Sequence, residues 1–270
     1  MGRRVLVMGI VNVTPDSFSD GGRCATPEAA VAHGLQLAAE GGDILDVGGE
    51  STRPGAAPVS AAEELARVLP VIRGLRAHCD LPISVDTWKA EVARAALEAG
   101  ADIVNDISGL QRDPVMLEVL RSSRAGLVLM HMRGTPETMQ QHTNYADLAG
   151  EIRAFFATAL RQAAAAGIAP ERIALDPGLG FSKTAAQNLE LIRRLPEFLE
   201  LGRPLLLGPS RKSFIGKILG GEMPPPAAAR DWGTAAAAAV CVLAGATILR
   251  IHQVSGLRDA VRVAAALRPG

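Results

Sequence analysis

Three acidic or amide side chains, Asp86, Asn105 and Asp176, each stand at the end of a short apolar run, in SVDTWK, VNDISG and LDPGLGFSK. A carboxylate accepts two parallel hydrogen bonds from an amidine-like edge. The set therefore suits a flat heterocycle carrying several N–H groups. Each of the three, taken singly, also fits the cap of a following helix; three brought to one place ask for more than capping. A second set is basic: Arg53, Arg211, Lys212, Arg250 and His252. With backbone N–H groups near Gly208 and Gly216 it could hold phosphate or another anion, the alternative being ordinary surface ion pairs. A third candidate opens the chain. In VLVMGIVNVTPDSFSDGG a bare apolar run flips into Asn12, Thr14, Asp16, Ser17, Ser19 and Asp20, closed by Gly21-Gly22. The plain alternative there is a turn that needs Asn, Asp, Pro and Gly for its backbone.

Several other signals are weaker. Only four lysines, Lys89, Lys183, Lys212 and Lys217, stand against 24 arginines, so a lysine marks a place where arginine does not serve. His131 follows an apolar run, and packing or loop support competes with chemistry there. His33, His78 and His142 read as ordinary helix or loop residues. GPSRKSFIG lacks the spacing of a phosphate-binding GxxxxGK[ST] loop, and no Ser-His-Asp or Cys-His arrangement is present.

These residues need a scaffold that brings the ends of many strands together. Strand-like runs fall at 5–11, 43–47, 82–85, 102–105, 126–130, 172–175, 204–207 and 247–251. Helical stretches follow at 27–40, 61–77, 89–99, 113–121, 146–166, 185–199, 234–244 and 255–267. Thr26-Pro27-Glu28 and Ser60 read as helix starts, and Gly41-Gly42, Gly100 and Gly167 as helix ends. Bare apolar strands are buried on both faces, as in parallel sheets. Eight βα units in about 250 residues make an α/β (β/α)8 TIM barrel, whose post-strand loops all reach one mouth. A doubly wound sheet has fewer strands and a switch point. No Pro/Ser-rich linker divides the chain, so residues 1–270 read as a single domain.

Composition narrows the classes further. The chain is 48% hydrophobic but 3% aromatic, so the core is built of Ala, Val, Leu and Ile. Lys+Arg and Asp+Glu are both 28, and that balance gives no general attraction to nucleic acid or anionic membrane. Cys24, Cys79 and Cys241 are scattered and odd in number, which suits free thiols in a cytoplasmic protein and neither a disulfide framework nor a zinc site. No stretch is apolar enough to span a bilayer, and the N-terminus lacks a signal-peptide pattern.

The loops together resemble one family, the dihydropteroate synthases. The matching strings are MGIVNVTPDSFSDGG, DVGGESTRPGA, SVDTWKAEVA, NDISG, LMHMRG, DPGLGFSK, GPSRKSFIG and RIH, over residues 8–252. The first two and SRKSFIG are specific to the family, while NDISG and DPGLGF are shared with other pterin-binding barrels. The resemblance implies condensation of 6-hydroxymethyl-7,8-dihydropterin diphosphate with 4-aminobenzoate, in folate biosynthesis, with release of diphosphate and with Mg2+ as cofactor. It implies a homodimer, and the small-residue stretch TAAAAAVCVLAGA suits close helix packing.

Carried over by position, Asp86, Asn105, Asp176 and Lys212 resemble the pterin-binding groups. Met130, Phe181 and Gly208 resemble its walls and floor, and Arg250 the residue stacked over the ring. Asn12 resembles the Mg2+ ligand, and with Thr52, Arg53, Arg250 and His252 it makes the diphosphate side. Pro54, Phe181, Lys212 and Ser213 resemble the aminobenzoate side. Asp86, Asp176, Lys212 and Arg250 would then carry the catalysis, and the first two loops would act as lids. One position departs from the family pattern: Gln253 stands where an Asp usually follows the strand-8 His, which puts the orientation of His252 in question. Two rivals share the barrel, the pterin domain of a corrinoid methyltransferase and a non-catalytic pterin-binding homologue.

Overall fold

A computed structural model of the chain describes residues 4–14 and 26–268. The loop stretch 15–22, expected to act as a lid, and Cys24 lie outside those residues. Eight strands alternate with helices: β1 (Leu6–Asn12), α1 (Pro27–Ala39), β2 (Ile44–Gly48), α2 (Ala61–Arg76), β3 (Ile83–Asp86), α3 (Ala90–Glu98), β4 (Ile103–Asp106) and α4 (Met116–Arg121). Then come β5 (Gly126–Met130), α5 (Leu148–Ala165), β6 (Ile173–Asp176), α6 (Ala185–Arg193), β7 (Leu206–Leu207), α7 (Ser213–Gly220), α8 (Asp231–Leu243), β8 (Ile248–Ile251) and α9 (Leu257–Leu267). The strands pair in the order β6, β5, β4, β3, β2, β1, β8, β7. Every pairing is parallel. A parallel bridge between Leu175 and Leu205 sets β6 against the start of β7 and closes the ring. The fold is a TIM barrel.

Strand periodicity sorts the side chains. Met8, Ile44, Val128, Ala174 and Leu206 form one buried cluster with Leu6, Ile103 and Ile248 against it. That is the barrel interior, filled by one or two residues from each of seven strands. Alternate residues face outward and join the helices in the large shell of core that includes Val7, Leu45, Val85, Val104, Leu127 and Leu249. Side chains two residues further along a strand share its face. Asp46, Asn105, Met130, Asp176 and Arg250 therefore continue the inward rows above Ile44, Ile103, Val128, Ala174 and Ile248, at the carboxyl ends. Outside the ring, Phe156 of α5 meets Phe198 edge to face at 6.2 Å, with both fully buried.

Local side-chain caps set the starts of α1, α2 and α6. The Thr26 and Ser60 hydroxyls accept from the N–H groups of Ala29 and Glu63 at 3.2 Å each. Thr184 and Gln187 make a reciprocal capping box at α6, which satisfies donors that the first turn leaves open. Where sequence and structure differ, a specific interaction is responsible. Helix α4 starts at Met116, not at 113, because Asp113 faces elsewhere: its carboxylate accepts from Ala90 N–H at 2.8 Å, capping α3, and from Val115 N–H at 3.0 Å. Helix α6 stops at Arg193, and the chain continues as a 3-10 turn over Leu195–Leu201 with Pro196 in its first turn. Helix α7 replaces an expected loop. Its two glycines hide it in the sequence, but Phe214 and Ile215 bury in the core. At Gly216 the Arg230 guanidinium packs closely, 2.8 Å from where a Cβ would stand. The Gly216 N–H itself points back to Lys212 O at 3.4 Å, in the first turn of the helix.

Candidate active site

The carboxyl ends of the strands surround a cavity of about 480 Å³. Around it stand the flat-ring candidates Asp86, Asn105, Met130, Asp176, Phe181, Gly208, Lys212 and Arg250. The anion candidates Asn12, Thr52, Arg53 and His252 line it as well, with Pro54 and Ser213. The fold thus gathers these candidates, from the ends of eight strands, into one space.

The floor is a network centred on Arg250. Its Nε donates to Asp46 Oδ2 at 2.6 Å and its Nη2 donates to Asp86 Oδ2 at 2.6 Å. Asn105 donates its amide to the same Asp46 oxygen at 3.3 Å. Asp46 is wholly buried and Asp86 nearly so. Burial raises the Asp86 carboxyl above its ordinary range; Arg250 pulls it back, and the nearby charges of Asp46 and Glu64 push the same way as burial. Burial also opposes the Arg250 cation, but the Asp46 and Asp86 carboxylates outweigh it and hold the guanidinium above its usual range. Arg250 is therefore permanently charged and fixed in two directions.

Asp176 rises from β6 at the opposite wall. Its Oδ1 accepts from Gly178 N–H at 2.8 Å. Burial pushes its carboxyl up to about 6, against that hydrogen bond and the charges of Lys212, Lys183 and Arg250. Lys212 lies across Gly180, whose φ of +84° and lack of a Cβ let the lysine stem pass. Its ammonium sits 4.1 Å above the Phe181 ring, within cation–π range. Burial, reinforced by Arg250, brings Lys212 down to about 8, while Asp176 and Asp86 favour its charge. The loop between β6 and α6 is tied from beneath. Lys183 donates to the carbonyls of Gly178 at 3.1 Å and Phe181 at 2.9 Å, and faces His131 Nδ1 at 3.2 Å. Burial moves Lys183 down to about 7. His131 meets Phe155 edge-on at 5.0 Å, and burial, with the Lys183 charge, holds its pKa well below the ordinary value. It is a neutral support for the loop and not a lining residue.

The anion side combines β7, β8 and the β2–α2 loop. His252 N–H donates to Ser210 Oγ at 3.1 Å, and the same oxygen lies 2.9 Å from His252 Nδ1. The serine hydroxyl satisfies both when it accepts from the backbone and donates to Nδ1, which leaves the proton of the ring on Nε2. Burial and four neighbouring cations, Arg211, Arg250, Lys212 and Arg53, lower His252 to about 3. The ring is therefore a neutral donor. Ser210 supplies its orientation, while Gln253 is exposed. Arg211 differs from the expectation of a basic cluster alone, because Asp231 takes its Nε at 2.8 Å and Nη2 at 2.9 Å.

A family model described as "Pterin binding enzyme" matches residues 8–252. The dihydropteroate synthase of Synechocystis sp. is 52% identical over 266 residues, covering 98% of this chain and 91% of the relative. The chain belongs to the dihydropteroate synthase family. Solved structures of the family superpose closely. The Yersinia pestis dihydropteroate synthase, in a sulfonamide drug complex, gives a TM-score of 0.93 at 43% identity over 98% of this chain and 94% of its own. The Xanthomonas albilineans dihydropteroate synthase with 4-aminobenzoic acid gives 0.90 at 48% identity over 98% and 93%.

For a dihydropteroate synthase, this chain holds some cavity-building residues that sequence reasoning left without a role. Asp46 was visible only as one polar residue in DVGGE; its inward position two residues after Ile44 was the available signal. Ser210, Glu50 and Arg230 line the cavity itself, while Asp46 lies beneath it. Their functions depend on partners far away in sequence, which no local pattern displays.

Proposed function

We propose that the chain condenses 6-hydroxymethyl-7,8-dihydropterin diphosphate with 4-aminobenzoate and releases diphosphate, as a dihydropteroate synthase in folate biosynthesis. The observation that carries this reading is one cavity in which the buried groups Asp86, Asn105 and Asp176 stand beside the cationic and N–H donors Lys212, Arg250 and His252. Asp86, Asn105 and Asp176 receive the N–H groups of the pterin, Lys212 donates to its ring, and Met130, Phe181 and Gly208 form the slot. Arg53, Thr52, Arg250 and the Nε2–H of His252 take the diphosphate. Pro54, Ser213, Phe181 and Lys212 face the aminobenzoate. The C–O bond breaks with its electron pair leaving on diphosphate. The aniline nitrogen supplies the pair for the new C–N bond and then loses one proton. Donors fixed before the reaction stabilise the departing charge without reorganising.

Mg2+ fits a limited place in this scheme. Among the described residues no group of three His, Cys, Asp or Glu could hold a metal, so an all-protein cage is absent from them. Asn12 offers one amide oxygen at the cavity, and Mg2+ in such sites keeps water and substrate phosphate oxygens around one or two protein ligands. Bound there, Mg2+ would neutralise charge on the leaving group. Among the described residues no helix is long and apolar enough to cross a membrane. The free thiols of Cys79 and Cys241 support a cytoplasmic location, since thiols persist in a reducing compartment. Val240 and Leu243 on α8 and Val263 and Leu267 on α9 are exposed, and a second copy covers that apolar face in a homodimer. The test of the activity is diphosphate release by purified protein given both substrates and Mg2+. No release with active controls removes the synthase reading and leaves a pterin-binding homologue.

A further inference from the structure

Behind the anion side of the cavity lies a buried charge cluster that the reaction does not use directly. Lys89, at the start of α3, reaches across to β2 and α2. Its ammonium pairs with Glu50 Oε2 at 2.6 Å and with Glu64 Oε2. The side chains of Lys89 and Glu50 are 11% and 9% exposed, and Glu64 is fully buried. Trp88 Nε1 donates to the same Glu50 oxygen at 3.2 Å, and the Lys89 ammonium lies 4.8 Å from the Trp88 ring centre. Burying a lysine and two carboxylates is costly unless each is paired and geometrically fixed.

The other oxygen of Glu50 shows what the cluster holds. Glu50 Oε1 accepts the N–H of Val59 at 3.2 Å. The side chain at the entry of the β2–α2 loop thus grips the backbone at its exit and closes the segment between into a ring. Two further contacts pin the same loop: Arg67 donates to Gly49 O at 2.7 Å, and Gly55 N–H donates to Pro136 O at 3.1 Å. The ring carries Thr52, Arg53 and Pro54 into the cavity. Arg53 and Pro54 are themselves exposed, so burial does little to fix this stretch. Trp88 and Lys89 follow Asp86 by two and three residues in the chain. The anchor of the diphosphate loop and a carboxylate of the pterin floor therefore share one short segment.

We infer that Glu50, fixed by Lys89 and Trp88, is a positioning residue that holds the β2–α2 loop in the form that presents Thr52 and Arg53 to the diphosphate of the substrate. The inference rests on the synthase reading for the identity of the substrate and on the geometry alone for the role of Glu50. Its sign separates it from a simple charge effect. Glu50 is a carboxylate that lines an anion site. By charge alone its removal would strengthen anion binding. By positioning, its removal releases the loop and weakens anion binding.

The experiment is equilibrium binding of two probes, inorganic diphosphate with Mg2+ and 6-hydroxymethyl-7,8-dihydropterin without diphosphate, to the full chain and to Glu50→Ala and Glu50→Gln. Glu50→Ala should bind diphosphate about tenfold more weakly, equal to about 1.4 kcal/mol, and the bare pterin within twofold of the parent. Glu50→Gln keeps an acceptor for Val59 while removing the charge, so its loss should fall between the parent and Glu50→Ala. Tighter or unchanged diphosphate binding in both variants overturns the inference, as does an equal loss for both probes. Circular dichroism on each variant identifies one that fails to fold, in which case Glu50→Gln decides. Absence of turnover in the parent chain would sink the synthase reading while leaving this comparison of probes intact.

Discussion

At the scale of single residues, the site works by holding charges where water would not keep them. Lys212 is the clearest case: an ammonium driven down to about 8 by burial, seated over Phe181. Lys212→Ala should lower kcat/KM on the order of 100-fold, the typical cost of losing a fixed donor, without lowering the unfolding temperature. Steady-state kinetics beside a thermal melt checks both, and near-normal turnover would take Lys212 out of the site. Asp176 carries a pH dependence. Its carboxyl titrates near 6 in the folded chain against an ordinary 3.8. Between those values the folded state holds the extra proton, so stability from this group falls as pH rises and is lost above about 6. Asp176→Asn should then be more stable than the parent at pH 8, by up to ~3 kcal/mol, because the folded carboxylate is ionised there against the cost of its burial. The same variant should bind the pterin more weakly, because the amide offers one acceptor oxygen and not two. As pH falls below 6 the parent should lose pterin affinity more steeply than the variant, which keeps only the loss from Asp86, whose carboxyl burial raises to about 7; a parallel profile in both would clear Asp176.

At the scale of elements, the loops that carry the chemistry are made rigid from beneath. The β6–α6 loop turns at Gly178, where φ is +75° and a Cβ would fall 2.1 Å from His131 O. Gly178→Ala should cost about 2 kcal/mol or more through strain and displacement. It should also displace Phe181 and Lys212 together, raising KM for the pterin substrate; denaturant unfolding and kinetics check the two effects. The floor is legible in sequence once the strands are placed, since Asp86, Asn105 and Asp176 stand at strand ends and the inward row is a matter of counting by two. Helix α7 was not legible, because its glycines argue for a loop and only its burial against the barrel makes it a helix. The pairing of Asp113 with α3 was hidden for the same reason: the carboxylate caps a helix that precedes it by a full strand.

At the scale of the whole molecule, closure of the ring converts eight separate loops into one cavity. The exposed apolar face of α8 and α9 makes a prediction about assembly. Sedimentation equilibrium should give twice the chain mass, and Val240→Asp with Leu243→Asp should give the monomer with its fold intact. A parent chain that sediments as a monomer at micromolar concentration would remove the homodimer.

By itself the sequence determined the architecture and the chemical inventory of this protein. Apolar runs of strand length, separated by helical stretches, leave few alternatives to a barrel, because bare strands must be buried on both faces. The residue types at the strand ends already pointed to a ring with N–H groups and an anion. Tertiary structure alone decided how those residues are held. Arg250 bridges Asp46 and Asp86, from strands at opposite ends of the sequence. Ser210 sets the tautomer of His252, and Lys89 joins Glu50 to Glu64. Each of these pairings depends on strand register and on burial, which strengthens a charge interaction only after the chain has closed around it. A linear sequence records the charges but not the distances between them.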